Sequence, residues 1–181
     1  MTGRHDRGRC YDGGVPAGSS HPVAPSGVDL ERVALIVTGA DLRAEIADRP
    51  LAYRLQRAML DWRDIYAPDA DEPGTPGARP FDVLVCSDVW YLGNPEMTLR
   101  PTISVGGPAV NALTAHLADK SPSAFVVDDV LIVQLDLDFR DLRGCCWGRD
   151  RYATESAVGA FVDRYLDQFM QATADRIEHA D

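Results

Sequence analysis

Short unbroken apolar runs alternate along this chain with stretches in which apolar residues recur every three or four positions. The first run, Val33-Ala34-Leu35-Ile36-Val37, has the length and β-branched content of a strand buried on both faces. It closes at Thr38-Gly39-Ala40, where glycine permits a tight turn. Asp41 then predicts an N-cap for a helix beginning Leu42-Arg43-Ala44-Glu45. Pro50 interrupts that helix and fits the first turn of a second one, where a missing N–H costs nothing. Leu51, Leu55, Ala58, Met59, Trp62 and Ile65 recur at helical spacing and give it one apolar stripe.

Two further buried strands are predicted at 81–86 and 101–105. The first releases the chain at Ser87-Asp88-Val89-Trp90-Tyr91, and the second ends in Gly106-Gly107-Pro108. A helix with Val110, Leu113 and Leu117 on one face follows. The β-rich runs 124–127 and 130–135 are separated by Asp128-Asp129, a two-residue spacing that predicts an antiparallel hairpin although it lacks glycine. From Gln134 to Arg140 polar and apolar residues alternate, which predicts a strand with one wet face, toward a sheet edge. The last element is a helix over 154–177 with Val158, Phe161, Val162, Tyr165, Leu166, Phe169 and Met170 on its stripe. Strand, helix, strand, helix, hairpin, helix is the order of an α/β three-layer sandwich. Its sheet should be mainly parallel, Rossmann- or flavodoxin-like, with an antiparallel hairpin at one edge. No internal repeat is present.

Two segments fall outside this pattern. Residues 1–28 hold six Gly and no apolar periodicity, so they are expected to be a disordered tail ahead of a single domain over 29–181. Within that domain, the Pro- and Gly-rich stretch 68–80 is expected to be an irregular loop, either a lid or an insertion.

Charge narrows the partners. With 18 basic and 28 acidic side chains, the net charge of -10 argues against nucleic acid, whose binding depends on neutralising phosphates. No apolar run is long enough to span a bilayer and no secretory signal opens the chain, so a cytoplasmic, non-membrane protein is expected. Cys10, Cys86, Cys145 and Cys146 form no CxxC pair, and the adjacent Cys145-Cys146 is not a zinc spacing, so no metal site is expected.

The side chains that commonly carry chemistry are scarce. Lys120 is the only lysine, at the end of a helical stretch where it complements the helix dipole. Of four histidines, only His116 lies away from the termini, and it is the one candidate for a fixed base. Asp88, Cys86 and His116 are the catalytic candidates. Covalent catalysis needs a nucleophile and base within hydrogen-bond reach, and His116 stands about two helical turns beyond the glycines.

In an open parallel sheet, ligands bind beyond the carboxyl ends of the strands. The corners expected to meet there supply Thr38, Gly39, Asp41, Ser87, Asp88, Trp90, Gly106, Gly107 and Asn111 as ligand-binding candidates. Arg149, near the start of the last helix, would clamp a carboxylate or phosphate by paired hydrogen bonds.

Two local resemblances bear on this expectation. Val37-Thr38-Gly39-Ala40-Asp41-Leu42-Arg43 with Arg49-Pro50-Leu51-Ala52 resembles the flavin-binding start of flavodoxin-like quinone reductases. That family surrounds the FMN phosphate with hydroxyls and an arginine, whereas Asp41 and Glu45 stand here, so the likeness implies fold and not cofactor. Asp136-Leu137-Asp138 resembles the Asp-x-Asp of haloacid dehalogenase-class phosphatases over this fragment alone. It comes late in the chain with no matching lysine after it, and reads instead as edge carboxylates that discourage strand pairing.

Three functional expectations follow. The first is a small polar ligand, nucleotide-like by fold analogy, bound at the carboxyl-end rim of the sheet. The second is a non-catalytic protein–protein interaction module of a multiprotein system, and the third is a hydrolase using carboxylates of the same rim. The residues leave cofactor and ligand identity unknown.

Overall fold

A computed structural model of the chain describes residues 28–66 and 81–179. The expected tail, Val28 aside, and the 68–80 loop lie outside the described residues. Six strands form one mixed sheet in the order β2-β1-β3-β6-β5-β4. They are β1 (Val33–Thr38), β2 (Asp82–Ser87), β3 (Thr102–Val105), β4 (Ser123–Val127), β5 (Leu131–Gln134) and β6 (Arg143–Gly148). Strand β1 pairs in parallel with β2 and β3, and β3 with β6, while β5 runs antiparallel to both β6 and β4. The α/β sandwich with a mostly parallel sheet and an antiparallel edge hairpin is therefore the fold of this chain.

Alternation along the strands divides two apolar layers. Helices α2 (Arg49–Tyr66), α5 (Arg151–Arg164) and α6 (Leu166–Glu178) cover one face, where Ala34, Ile36, Ile103 and Val105 meet Leu55, Met59, Phe161 and Phe169. On the other face Val33, Leu35 and Val37 meet Tyr91 of α3 (Asp88–Gly93), Met97 of a 3-10 turn (Pro95–Leu99), and Leu113 and Leu117 of α4 (Ala112–Ala118). Every residue of β1 is buried, as a central strand between two helical layers requires. The short helix α1 (Leu42–Ala47) precedes α2, and Asp48 stands at their junction.

Strand β6 was hidden in the sequence pattern. Arg143-Gly144-Cys145-Cys146-Trp147-Gly148, with two glycines and no unbroken apolar run, predicts no strand, yet it is an interior strand. Both glycines answer to close approach: a Cβ on Gly144 would come 2.8 Å from the Gln134 carbonyl oxygen, and one on Gly148 2.4 Å from Ala153 Cβ. The adjacent thiols point to opposite faces, Cys145 into the layer of α3 and α4 and Cys146 into that of α2, α5 and α6.

Three other elements differ from the sequence pattern. The alternation from Gln134 to Arg140 is not a strand, because β5 ends at Gln134 and Asp136 turns the chain, accepting hydrogen bonds from the N–H groups of Asp138, Arg140 and Asp141. The final helix is two helices, broken at Tyr165 (φ -127°, ψ -16°), so that Phe161 and Phe169 meet edge to face. Helix α4 begins at Ala112, capped by Asn111, rather than at Pro108. The hairpin turn does form without glycine: Asp128 and Asp129 take positive φ of 47° and 55°, the geometry of a two-residue turn that matches strand twist. The Val130 N–H closes it onto the Val127 carbonyl at 2.8 Å.

Candidate functional site

The corners after β1, β2 and β3 leave the sheet at the same end, with Thr38 in register with both Ser87 and Val105. Asp88 ties them together. Its Oδ1 accepts from the N–H groups of Ala40 (2.9 Å) and Val89 (2.8 Å), and its Oδ2 from Ala112 N–H (2.7 Å). Asn111 reaches the same place from the β3–α4 connection. Its Nδ2 donates to the carbonyls of Val37 (3.2 Å) and Val105 (3.0 Å), while Oδ1 accepts from Leu113 and Thr114 N–H. A Cβ on Gly39 would lie 1.7 Å from the Val110 carbonyl oxygen, so the loop before α4 is packed directly onto the β1 corner. Thr38 is fully buried beneath it. The hollow between β1 and β3 is thus filled by backbone, by Asp88 and Asn111 with their polar atoms engaged, and by Thr38, whose buried hydroxyl has no hydrogen-bond partner among the described residues.

The remaining rim candidates sit outside that hollow. Asp41 caps α1 by accepting from Arg43 N–H at 2.8 Å, and Ser87 caps α3 by accepting from Trp90 N–H at 3.2 Å. Trp90 packs half-buried against the α3–α4 layer. Cys86 stands beside the corner with its thiol pushed up to about 12 by burial, with Arg49 pulling the other way, which keeps it a neutral thiol at physiological pH. His116 is exposed on α4, its Nε2 3.0 Å from Lys120 Nζ, with no hydrogen bond to Cys86 or Asp88.

One strand further along, between the carboxyl ends of β3 and β6, an open cleft of about 480 Å³ remains. Ala47, Pro108, Ala109, Val110 and Trp147 give it apolar walls, and Gly107 and the exposed Arg43, Arg149 and Arg151 also line it. At its boundary lies Asp48, 5% exposed, whose main chain is hydrogen-bonded to Ala44 and Ala52 but whose carboxyl has no hydrogen-bond or ion-pair partner among the described residues. Burial pushes its carboxyl up to about 6, because the charged form is disfavoured away from water. Gly106, at φ +107°, makes room for it: a Cβ there would come 2.4 Å from Asp48 Oδ2. Helix α5 starts at the same cleft, with Asp150 capping it through Ala153 N–H at 2.9 Å.

Gly107 and Arg149, with Gly106 behind Asp48, are the sequence candidates that this cleft brings together. Thr38, Gly39, Asp41, Ser87, Asp88, Trp90 and Asn111 build the adjoining corners instead. Sequence reasoning passed over Asp48, because an acid just before Arg49-Pro50 reads as a helix-boundary residue. It is the C-cap residue of α1, through its main-chain N–H to Ala44, and no sequence signal marks its carboxyl. Among the described residues no group of three His, Cys, Asp or Glu side chains is placed to hold a metal ion, and no helix is long and apolar enough to cross a membrane.

No protein-family model matches the chain, and no curated protein matches it significantly.

Proposed function

We propose that this chain is a small-ligand-binding α/β domain whose ligand occupies the cleft between the carboxyl ends of β3 and β6. The observation that carries this reading is the Asp48 carboxyl, on a residue only 5% exposed, without a partner among the described residues and bordering an open cleft. A buried polar group without a partner costs stability, and that cost is recovered when a ligand supplies the missing hydrogen-bond donor. Arg43, Arg149 and Arg151 provide planar, paired donors for a phosphate or carboxylate at the exposed side. Pro108, Val110 and Trp147 offer apolar surface between the two. The cleft lies within the size range of small-molecule sites. A nucleotide-like ligand satisfies all three regions: a base edge or amino group donating to Asp48, a ring against the apolar wall, and a phosphate on the arginines.

A second reading has its own support. Leu42 and Ile46 are 72% and 65% exposed on the face of α1 next to Arg43 and Ala47, and Tyr152 is 79% exposed beside Arg151. An interaction module would use them to hold a protein over the cleft. A hydrolytic reading would need Asp48 as its acid, since Asp88 already accepts three N–H groups.

Thermal melts of the full chain against a nucleotide panel test the proposal. At least one compound is expected to raise the melting temperature, and Asp48→Asn, which keeps the shape but no longer offers a carboxylate, is expected to lose that rise. No shift with any compound, together with concentration-dependent association in sedimentation, would transfer support to the interaction module.

A further inference from the structure

The amino ends of β3 and β6, opposite the Asp48 cleft, carry a second concavity of about 310 Å³. Its lining holds four guanidinium groups, Arg100, Arg140, Arg143 and Arg176, against the carboxylate of Asp141. In a chain of net charge -10 this concentration of one sign is a local reversal. Asp141 is committed to Arg143 alone, through Nε at 2.8 Å and Nη2 at 2.7 Å. Arg140 approaches Asp138 only at 3.7 Å, with both side chains largely in water. Arg176 donates through Nη2 to the main-chain carbonyl of Arg140 at 2.7 Å, which fixes the Arg176 guanidinium at the loop that carries Arg140. Arg100 has no carboxylate partner among the described residues, and its Nε is shielded from water with no acceptor.

Like charges held together repel, and an unsatisfied buried donor adds to that cost. A compact dianion offsets the repulsion, since its oxygens accept from several guanidinium groups at once. We infer that the pocket formed by Arg100, Arg140, Arg143 and Arg176 binds a small phosphate-type dianion, either free phosphate or the phosphate group of a small ester. The size of the concavity and the acidity of the surrounding chain disfavour a polyanion such as nucleic acid. This site does not depend on the cleft proposed above.

The test is a melt of the full chain in inorganic phosphate, and separately in glycerol 3-phosphate, against sodium chloride of equal ionic strength. Saturable binding is expected to raise the melting temperature by roughly 3–5 °C at about tenfold the dissociation constant. Saturation at lower concentration by the ester would assign the site to esters, and equal saturation to phosphate itself. The rise should vanish in the Arg140→Gln, Arg176→Gln double variant and persist in Asp48→Asn. Should the double variant fold poorly, the ³¹P linewidth of phosphate with the exposed single variant Arg140→Gln, read well below its melt, should narrow toward that of free phosphate. A response no larger than that to chloride, or one the arginine variants retain, would overturn the inference.

Discussion

The two ends of the strand pair β3–β6 are built on opposite electrostatic plans. At the carboxyl ends, a buried carboxyl stands without a partner beside an apolar-walled cleft. At the amino ends, guanidinium groups crowd a polar concavity, with Asp141 held by Arg143. The parallel direction of the two strands makes the difference possible, because the helix-forming corners gather at one end and the returning loops at the other. Stability is spent at both ends, at one by desolvating an acid and at the other by clustering cations. Beside the acid, Asp88 ties three backbone segments into a fixed wall, so the carboxyl-end cleft has a rigid flank.

The sharpest way to break this comparison is to unpin that flank. Asp88→Ala leaves the N–H groups of Ala40, Val89 and Ala112 without their acceptor and should cost about 3 kcal/mol, read from the urea midpoint. A cost below about 1 kcal/mol would mean that water replaces the carboxylate and that the corner is not rigid.

The next effect concerns Asp48 and has the opposite sign. Its folded pKa of about 6 lies above the 3.8 of an ordinary aspartate, so the unfolded chain loses its proton first and stability falls as pH rises from about 4 through 6. Asp48→Asn removes that dependence. The variant should therefore gain on the parent across this window, reaching an advantage of up to about 3 kcal/mol near neutrality. An advantage that does not grow with pH would show that the carboxyl is better solvated than its burial implies.

The smallest effect belongs to the arginine end. Arg143 beside Asp141 holds that carboxyl below its ordinary range, so its contribution is present above pH 3.8 and is lost as pH falls through the lower folded value. The pair is half-exposed, and Asp141→Asn should cost less than about 1 kcal/mol at neutral pH, with a shallower acid limb in the unfolding profile. The two ends thus answer acid in opposite directions.

Much of this architecture was legible beforehand, for physical reasons. Buried parallel strands write themselves as unbroken apolar runs, and β1 to β3 did so. The amphipathic stripe of α2 and the capping by Asp41 follow local rules that tertiary packing did not override. Strand β6 escaped because its glycines serve close packing against Gln134 and Ala153, a demand invisible along the chain. Losing that strand also hid the cleft beside it, and with it the place of Asp48 at the cleft's edge. The alternation after Gln134 misled because Asp136 folds the segment through its own side chain, and alternation alone does not distinguish an edge strand from such a turn. At the rim, the direction of the corners was readable, but the filling of the β1–β3 hollow by Val110 and Asn111 depends on distances that no pattern encodes.

The placement of Cys145 and Cys146 gives the molecule a pair of natural reporters. Neighbours in the chain, they are fully buried in different layers, so a thiol reagent reaches one only when the α3–α4 side lifts and the other only when α2, α5 and α6 separate. Peptide-bonded neighbours that modify at unequal rates would reveal two halves of the sandwich opening independently, and matched rates a single concerted breathing of the whole sheet.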